Sequence, residues 1–340
     1  MSPARFFSAY VLFALAVVAL LERGAWAWAW MPALVIFAVI PLADALSGKS
    51  SATGSGRSRR AFDLALEAWV PAQVGLLVFA LIQVQQRPPS GPLEWAGLAF
   101  SVAIVTGAGG ITIAHELMHR PSTKQRALAE VQMTLVLYAH FTVEHVLGHH
   151  RIVGLRADPA TARRGETVFA FAPRSVFGGL RSAWRLESKR VARLAERKPL
   201  RDRRVRYALT QAALLGLVWG AFGPRGLTLF LAQAFGAVLL LEFINCVEHY
   251  GLERKLVAGR PERMRSEHSW NSRHRLTSAQ LFQLTRHSNH HAEASRPYDQ
   301  LRAQPEASEL PAGYPTMMLL SLVPPLWRRV MDPLAMATDR

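Results

Sequence analysis

The chain has 340 residues, 50% of them hydrophobic and only 19% charged, which gives it the length of two soluble domains and the composition of a membrane protein. Its net charge of +16 comes from 40 lysines and arginines that lie mostly between and after long apolar runs, so the excess is a topological signal and not a nucleic-acid-binding surface. Cys246 is the only cysteine, which excludes a disulfide framework, a zinc ribbon and a paired C-x-x-C iron site, so a one-electron carrier must be a separate chain.

In chain order, six apolar runs are long enough to cross about 30 Å of hydrocarbon: 6–21, 25–46, 64–84, 93–114, 207–222 and 227–245. The first is followed directly by the second with no small-x-small cleavage site between them, so it is expected to be a retained anchor. Short connections within successive pairs predict three helical hairpins in a single domain spanning 1–340. Trp26, Trp28 and Trp30 open the second run, and Trp69 and Trp95 sit near other run ends, as in an interfacial aromatic belt. Arg23, Arg87 and Arg225 are the only basic residues of the three short loops, whereas Lys49, Arg57, Arg59, Arg60 and many more fill the other connections. Both termini are therefore expected in the cytoplasm of a bacterial cell, with the spans in its inner membrane and a cytoplasmic cap formed by 115–206 and 246–340. Residues 47–58 read as a flexible Ser/Gly linker, and Pro88, Pro89 and Pro92 as a tight external turn. The apolar stretch 127–146 carries Glu130, Gln132, His140, Glu144 and His145, which are expensive to bury in lipid, so it is placed against the membrane or inside the cap. A seventh span there would reverse the C-terminal topology.

All twelve histidines fall between His115 and His291, within the cap or at the cytoplasmic ends of spans. His115 and His119, four apart, stack on one helix face where a metal can bridge them. His145 and His149 repeat that spacing, and the adjacent His150 points about 100° away, toward a second metal. His287, His290 and His291 share a face, and His249 stands alone at the end of the sixth run. Nine imidazoles exceed the ligands one ion can take, so two metals are expected, with Zn, Cu, Fe and Ni all open on ligand type alone. Only Glu116 to His119 has the Glu-x-x-His spacing of carboxylate-bridged di-iron bundles, so the site is of another, histidine-rich kind. Glu116, Glu144 and Glu248 each adjoin a candidate ligand and either orient an imidazole or are solvated or ion-paired. His140, His268 and His274 lack partners at ligand spacing and are read as packing or hydrogen-bonding residues. The H-E-x-x-H form at 115–119 also fits a zinc protease, but such a protease has no use for the other clusters.

The segments 115–120, 144–150, 245–252 and 284–292 resemble the three histidine boxes and the HYG motif of membrane alkane 1-monooxygenases, which group with the fatty-acid desaturase-like di-iron enzymes. Asp158-Pro-Ala-Thr-Ala-Arg-Arg-Gly-Glu166, Ser269-Trp-Asn-Ser272, Gly313-Tyr-Pro315 and Val330-Met-Asp-Pro333 extend the similarity over most of the chain from about residue 37. The resemblance implies an all-α integral membrane protein in which His115, His119, His145, His149, His150, His249, His287, His290 and His291 ligate two irons. Arg120 stands where the family usually has lysine and Asn289 where it often has aspartate. Neither change removes a ligand, though Asn289 weakens any charge expected beside the site.

The implied reaction is R–CH3 + O2 + 2e⁻ + 2H⁺ → R–CH2OH + H2O, with electrons from a rubredoxin or ferredoxin and its reductase. Basic residues including Arg151, Arg156, Arg163, Arg164, Arg181, Arg185, Lys189 and Arg190 either steer such an acidic carrier or bind anionic lipid heads. Gly97, Gly107, Ala108, Gly109 and Gly110 on the fourth run either leave room for an alkyl chain or let helices touch closely. By resemblance, Ile36 and Phe37 line that channel. A desaturase, an alkyl-aromatic or fatty-acyl hydroxylase and a membrane metal transporter are the competing readings, although transport sites lie near the bilayer midplane.

Overall fold

A computed structural model describes residues 17, 24, 28–50, 59–194, 198–304 and 306–338, so the first expected span and most of the linker lie outside the described residues. The chain is an all-α membrane protein, its only regular strands among the described residues being the two-residue β1 (Leu256–Val257) and β2 (Arg260–Pro261). Helices α2 (Arg59–Gln86), α3 (Pro92–Met118) and α7 (Arg203–His249) are long and apolar enough to cross a membrane, and α1 (Met31–Ser47) is a shorter apolar helix.

A straight α7 would hold Tyr207 and Glu242 about 50 Å apart at 1.5 Å per residue. Instead Tyr207 bonds Glu130 at 2.7 Å and Glu242 accepts from Tyr138 at 2.9 Å, so both ends of this stretch touch the same region of the chain. The reversal occurs at Gly223, whose φ of 56° and ψ of −160° are open to a residue without Cβ, and Pro224 starts the return arm. There the Phe222 carbonyl accepts from Gln85 near the end of α2.

The stretch 127–146 is not one helix. Its first part belongs to α4 (Thr123–Leu135), which ends before Leu137 takes a φ of 56°, and α5 (141–152) then starts afresh. Thirteen residues of α4 extend about 20 Å, too short to span about 30 Å of hydrocarbon. Two of its polar side chains reach neighbouring helices: Glu130 pairs with Arg206 at 2.7 Å, and Gln132 Nε2 donates to Gln73 at 3.2 Å.

Polar links between helices stand out in so apolar an interior, where an unmet donor or acceptor is expensive. Thr106 meets Gln233 at 2.7 Å, Gln233 donates to the Leu135 carbonyl at 3.0 Å, and Gln73, which Gln132 reaches from α4, also accepts from Trp69 Nε1 within α2 at 2.9 Å. Around these, Phe62, Leu66, Leu98, Val102 and Phe230 form one apolar core, while Tyr250, Trp270, Trp327 and Met331 form a second that binds the chain beyond α7 to the helices. Asp44, buried near the end of α1, accepts the Leu276 N–H at 2.7 Å and the Thr277 N–H at 3.1 Å, capping α8 (Arg275–Gln280). Lys49 pairs with Glu309 at 3.2 Å and Ser50 N donates to Arg273 O at 2.8 Å, so the first residues of the expected linker are docked.

Gly107 and Gly110 of α3 sit at close contacts between helices. A Cβ on Gly107 would come within 3.0 Å of the Ala237 backbone, and one on Gly110 would strike the Gln73 amide, which Trp69 and Gln132 hold in place. Gly107→Ala and Gly110→Ala are expected to lower stability by about 1–3 kcal/mol, read as a lower thermal midpoint in detergent, because both sites are already filled.

Candidate metal centre

Four separate stretches bring nine histidines together. His115 and His119 come from the end of α3, His145, His149 and His150 from α5, His249 from the end of α7, and His287, His290 and His291 from α9 (His287–Ala292). They divide into a group of five (His115, His119, His145, His150, His290) and a group of four (His149, His249, His287, His291), with the ligand atoms of each group within 4.8 Å of one another.

This division corrects the expectation that His145 and His149 share an ion and that His150 turns to another. Residues His145–His149 form a π-turn, and the His150 N–H bonds the His145 carbonyl, an i→i+5 link. The wider turn aligns residues five apart. His145 and His150 therefore meet with Nε2 atoms 3.0 Å apart, while His149 is sent to the other group. On α9, His287 and His291 stay together at 2.9 Å but His290 faces His150 at 3.1 Å, so that face is also split.

The spacing identifies what the nitrogens fit. Two imidazole nitrogens each about 2.1 Å from one ion and at right angles lie about 3.0 Å apart. The Nε2 pairs His145–His150, His150–His290, His249–His287 and His287–His291 are separated by 2.9 to 3.1 Å. Among the described residues, His115 Nδ1 and Nε2 and His119 Nε2 are buried without a hydrogen-bond partner. Burial, reinforced by neighbouring histidines, holds the pKa of His145, His150, His290 and His291 well below the ordinary value, which keeps their rings neutral and their lone pairs available. A donor set of neutral, convergent imidazoles fits a pair of transition-metal ions.

His149 behaves differently. Burial is the largest single effect and works against its charge, but the Asp158 carboxylate together with Glu144 and Glu248 outweighs it and raises the pKa. Asp158 Oδ2 lies 2.9 Å from His149 Nδ1, fixing the ring so that Nε2 points inward. Asp158 is itself held by the Thr161 hydroxyl at 2.6 Å and the Ala160 N–H at 3.2 Å. Its place in a loop nine residues after His149 hid this role; the only trace was the Asp158-Pro-Ala-Thr run within the family resemblance.

Of the carboxylates beside the histidines, Glu248 approaches an imidazole, His287 Nδ1, at 3.4 Å, with Tyr314 against its other side. Glu116 is ion-paired instead, to Arg120 at 2.8 Å, and accepts the Tyr298 N–H at 3.1 Å. Arg120 also reaches Asp63 at 3.2 Å, so it ties α2 to the end of α3. Burial and the nearby Asp158 raise the Glu144 pKa to about 8, and its side chain meets Ser182 on α6 (Val168–Val191). Asn289 accepts the Arg302 N–H at 2.9 Å and so anchors a loop, not a ligand.

His140 lies against the Tyr138 ring, His268 is 3.4 Å from Glu262, and His274 is 2.9 Å from the Ser272 hydroxyl, all outside the two groups. The HYG segment has a packing cause. Gly251, at φ 69°, donates to the Ala162 carbonyl at 2.9 Å, and a Cβ there would meet Ala335 at 3.0 Å. Tyr250 bonds Asp332 at 2.6 Å and stacks edge-on with Trp327. Asn271, whose role was not foreseen, accepts the Ser288 N–H at 3.0 Å at the start of α9 and so positions its three histidines.

Long apolar helices ending in a buried double cluster of histidines define a membrane metalloprotein, and the fatty acid desaturase family model matches residues 93–320. Alkane 1-monooxygenase 1 of Pseudomonas aeruginosa is 40% identical over 321 residues, covering 90% of this chain and 82% of that protein. Alkane 1-monooxygenase 2 of Alcanivorax borkumensis is 37% identical over 90% of this chain and 82% of its own length. The xylene/toluene monooxygenase hydroxylase component of Pseudomonas putida is 28% identical over 96% of this chain and 87% of its own length. The chain belongs to the alkane 1-monooxygenases within the fatty acid desaturase family.

Asp158→Asn removes the charge that orients His149 while keeping its shape. Metal affinity is expected to fall about 10- to 100-fold, measured by competition with a chelator.

Proposed function

We propose that this protein hydroxylates the terminal methyl group of medium- or long-chain n-alkanes to 1-alcohols, using O2, two non-haem irons and electrons from a separate rubredoxin or ferredoxin. The observation that carries this reading is an apolar passage that ends at the histidines. It begins in a cavity of about 710 Å³ whose lining includes Trp30, Leu34, Phe37, Phe100, Phe235 and Met318. Phe37, Leu240 and Met318 also line a narrower cavity of about 50 Å³, which in turn shares Ala108, Ile244, Leu281 and Tyr314 with one of about 30 Å³ reaching His115, His145 and His287.

Leu34 and Phe235 at the wide end are 57% and 67% exposed, which suits entry from lipid. An alkane already dissolved in hydrocarbon gains little by moving to another apolar site, so shape must select it. A narrow end admits an unbranched chain methyl-first and leaves its terminal carbon nearest the histidines. The two groups would be the iron sites, His115, His119, His145, His150 and His290 holding one and His149, His249, His287 and His291 the other. Bound iron would supply the redox chemistry that side chains lack. The protein's own part is to hold the ligands, with Asp158 and Glu248 orienting His149 and His287, and to keep bulk water from the site.

The topology that suits this reading has six spans in three hairpins, both termini in the cytoplasm and the histidines beneath the inner leaflet of the bacterial inner membrane. The reversal at Gly223 and the short 87–91 connection support two of those hairpins.

Cells expressing the chain with a rubredoxin system and fed n-alkanes and alkylbenzenes under labelled dioxygen are expected to yield 1-alcohols carrying one labelled oxygen. Alkenes, or benzylic alcohols alone, would reject the assignment. The purified protein should contain about two irons, lost in His149→Ala and His290→Ala, whereas zinc would count against an oxygenase. Ala108→Phe, at the junction of the two narrow cavities, should shift products toward shorter chains.

A further inference from the structure

On another side of the metal centre is a polar pocket of about 430 Å³ lined by Arg156, Arg163, Arg164, Gly251 and Glu253. The Arg156 side chain is 82% exposed, and its 3.5 Å contact with Glu253 is a solvated ion pair that an incoming carboxylate can displace. Both walls lead to the group of four histidines. The loop carrying Arg156, Arg163 and Arg164 also carries Asp158, whose carboxylate bonds His149. Gly251 is two residues beyond His249 and is tied across the pocket to Ala162. Two short routes therefore run inward, one through Asp158 to His149 and one along Tyr250 to His249. The apolar passage arrives elsewhere, and it touches both histidine groups through His115, His145 and His287.

We propose that this arginine pocket is the docking site of the electron donor, a small acidic one-electron iron–sulfur or rubredoxin-type protein, which would seat it on the side of the group His149, His249, His287 and His291. This inference rests on the oxygenase reading above. That reaction consumes two electrons, and the chain's only cysteine, Cys246, is buried and cannot form a carrier site. Two docking events, each oxidising one reduced donor by one electron, supply the pair. The guanidinium groups of Arg156 and Arg163 on a concave surface can bond carboxylates of such a donor, and Arg164 adds to the positive charge there. An anionic bilayer is the less suitable partner, because the lining includes the acid Glu253 and no apolar side chain to insert between lipids.

The test uses the full-length, iron-loaded protein in neutral detergent, with zinc-substituted acidic rubredoxin as a redox-inert binding probe. Arg156→Glu with Arg163→Glu is expected to weaken probe binding at least about tenfold and to flatten its salt dependence. Iron content, and hydroxylation driven by a small-molecule reductant, should be unchanged. If the reversal variant loses iron, Arg156→Gln with Arg163→Gln replaces it, with weaker probe binding still expected. Unchanged binding in the iron-retaining variant would overturn the proposal. So would equal weakening by Arg181→Glu with Arg185→Glu on α6, which would reduce the effect to general charge, or lost binding to phosphatidylserine vesicles with rubredoxin binding intact. Failure of the unmodified protein to hydroxylate any alkane with either electron source would instead count against the oxygenase reading, because probe binding is measured without turnover.

Discussion

Nine imidazoles, seven of them buried and two half-buried, with nitrogens as little as 2.9 Å apart are the constraint around which the molecule is built. Lone pairs that close repel unless a cation lies between them, and protonation would add charge to an interior that cannot solvate it. Much of the architecture keeps these rings convergent and dry, and burial holds His145, His150, His290 and His291, though not His149, toward the neutral form. Long apolar helices deliver His115, His119 and His249 at their ends, and shorter elements close over them.

The helices are distorted where that constraint acts. The π-turn at His145–His149 widens α5 by a residue, so one short helix serves both histidine groups. A second π-turn at Val105–Ile111 lies in α3 one to two turns before His115, where Gly107 and Gly110 allow close approach to Ala237 and the Gln73 amide. A third, at Val35–Val39 in α1, contains the passage residues Ile36 and Phe37. Such turns give up regular hydrogen bonding, and their position beside ligands and passage ties that sacrifice to the site. The carboxylates are sorted by the same logic: Asp158 bonds His149 and Glu248 lies 3.4 Å from His287, while Glu116 joins Arg120 and Asp63 in holding helices together.

Approaches to the site are divided by polarity. The alkyl passage is lined almost wholly by apolar side chains, and the arginine pocket is charged and close to the group of four histidines through Asp158 and Gly251. A lipid-soluble substrate and a water-soluble protein can then reach one centre without sharing a doorway.

The sequence by itself determined the membrane class and the identity of the nine clustered histidines, because apolar run length and histidine spacing are local quantities fixed by helix geometry. It also separated His140, His268 and His274 from the clusters for want of partners at short range. The tertiary structure decided what depends on contacts between distant segments. Which histidines fall in one group followed from a π-turn that ideal 3.6-residue periodicity does not contain. Asp158 and Asn271 took their roles from loops folded back on α5 and α9, and Asn289 turned to Arg302 instead of a ligand. Gly107 and Gly110 left channel and packing open until the structure set Ala237 and Gln73 against them and placed Gly107 on the wall of the narrow cavity beside His115 as well. Spacing along one helix constrains neighbours within a turn or two, whereas close approach between helices depends on which faces meet, and that is set only when the whole chain packs.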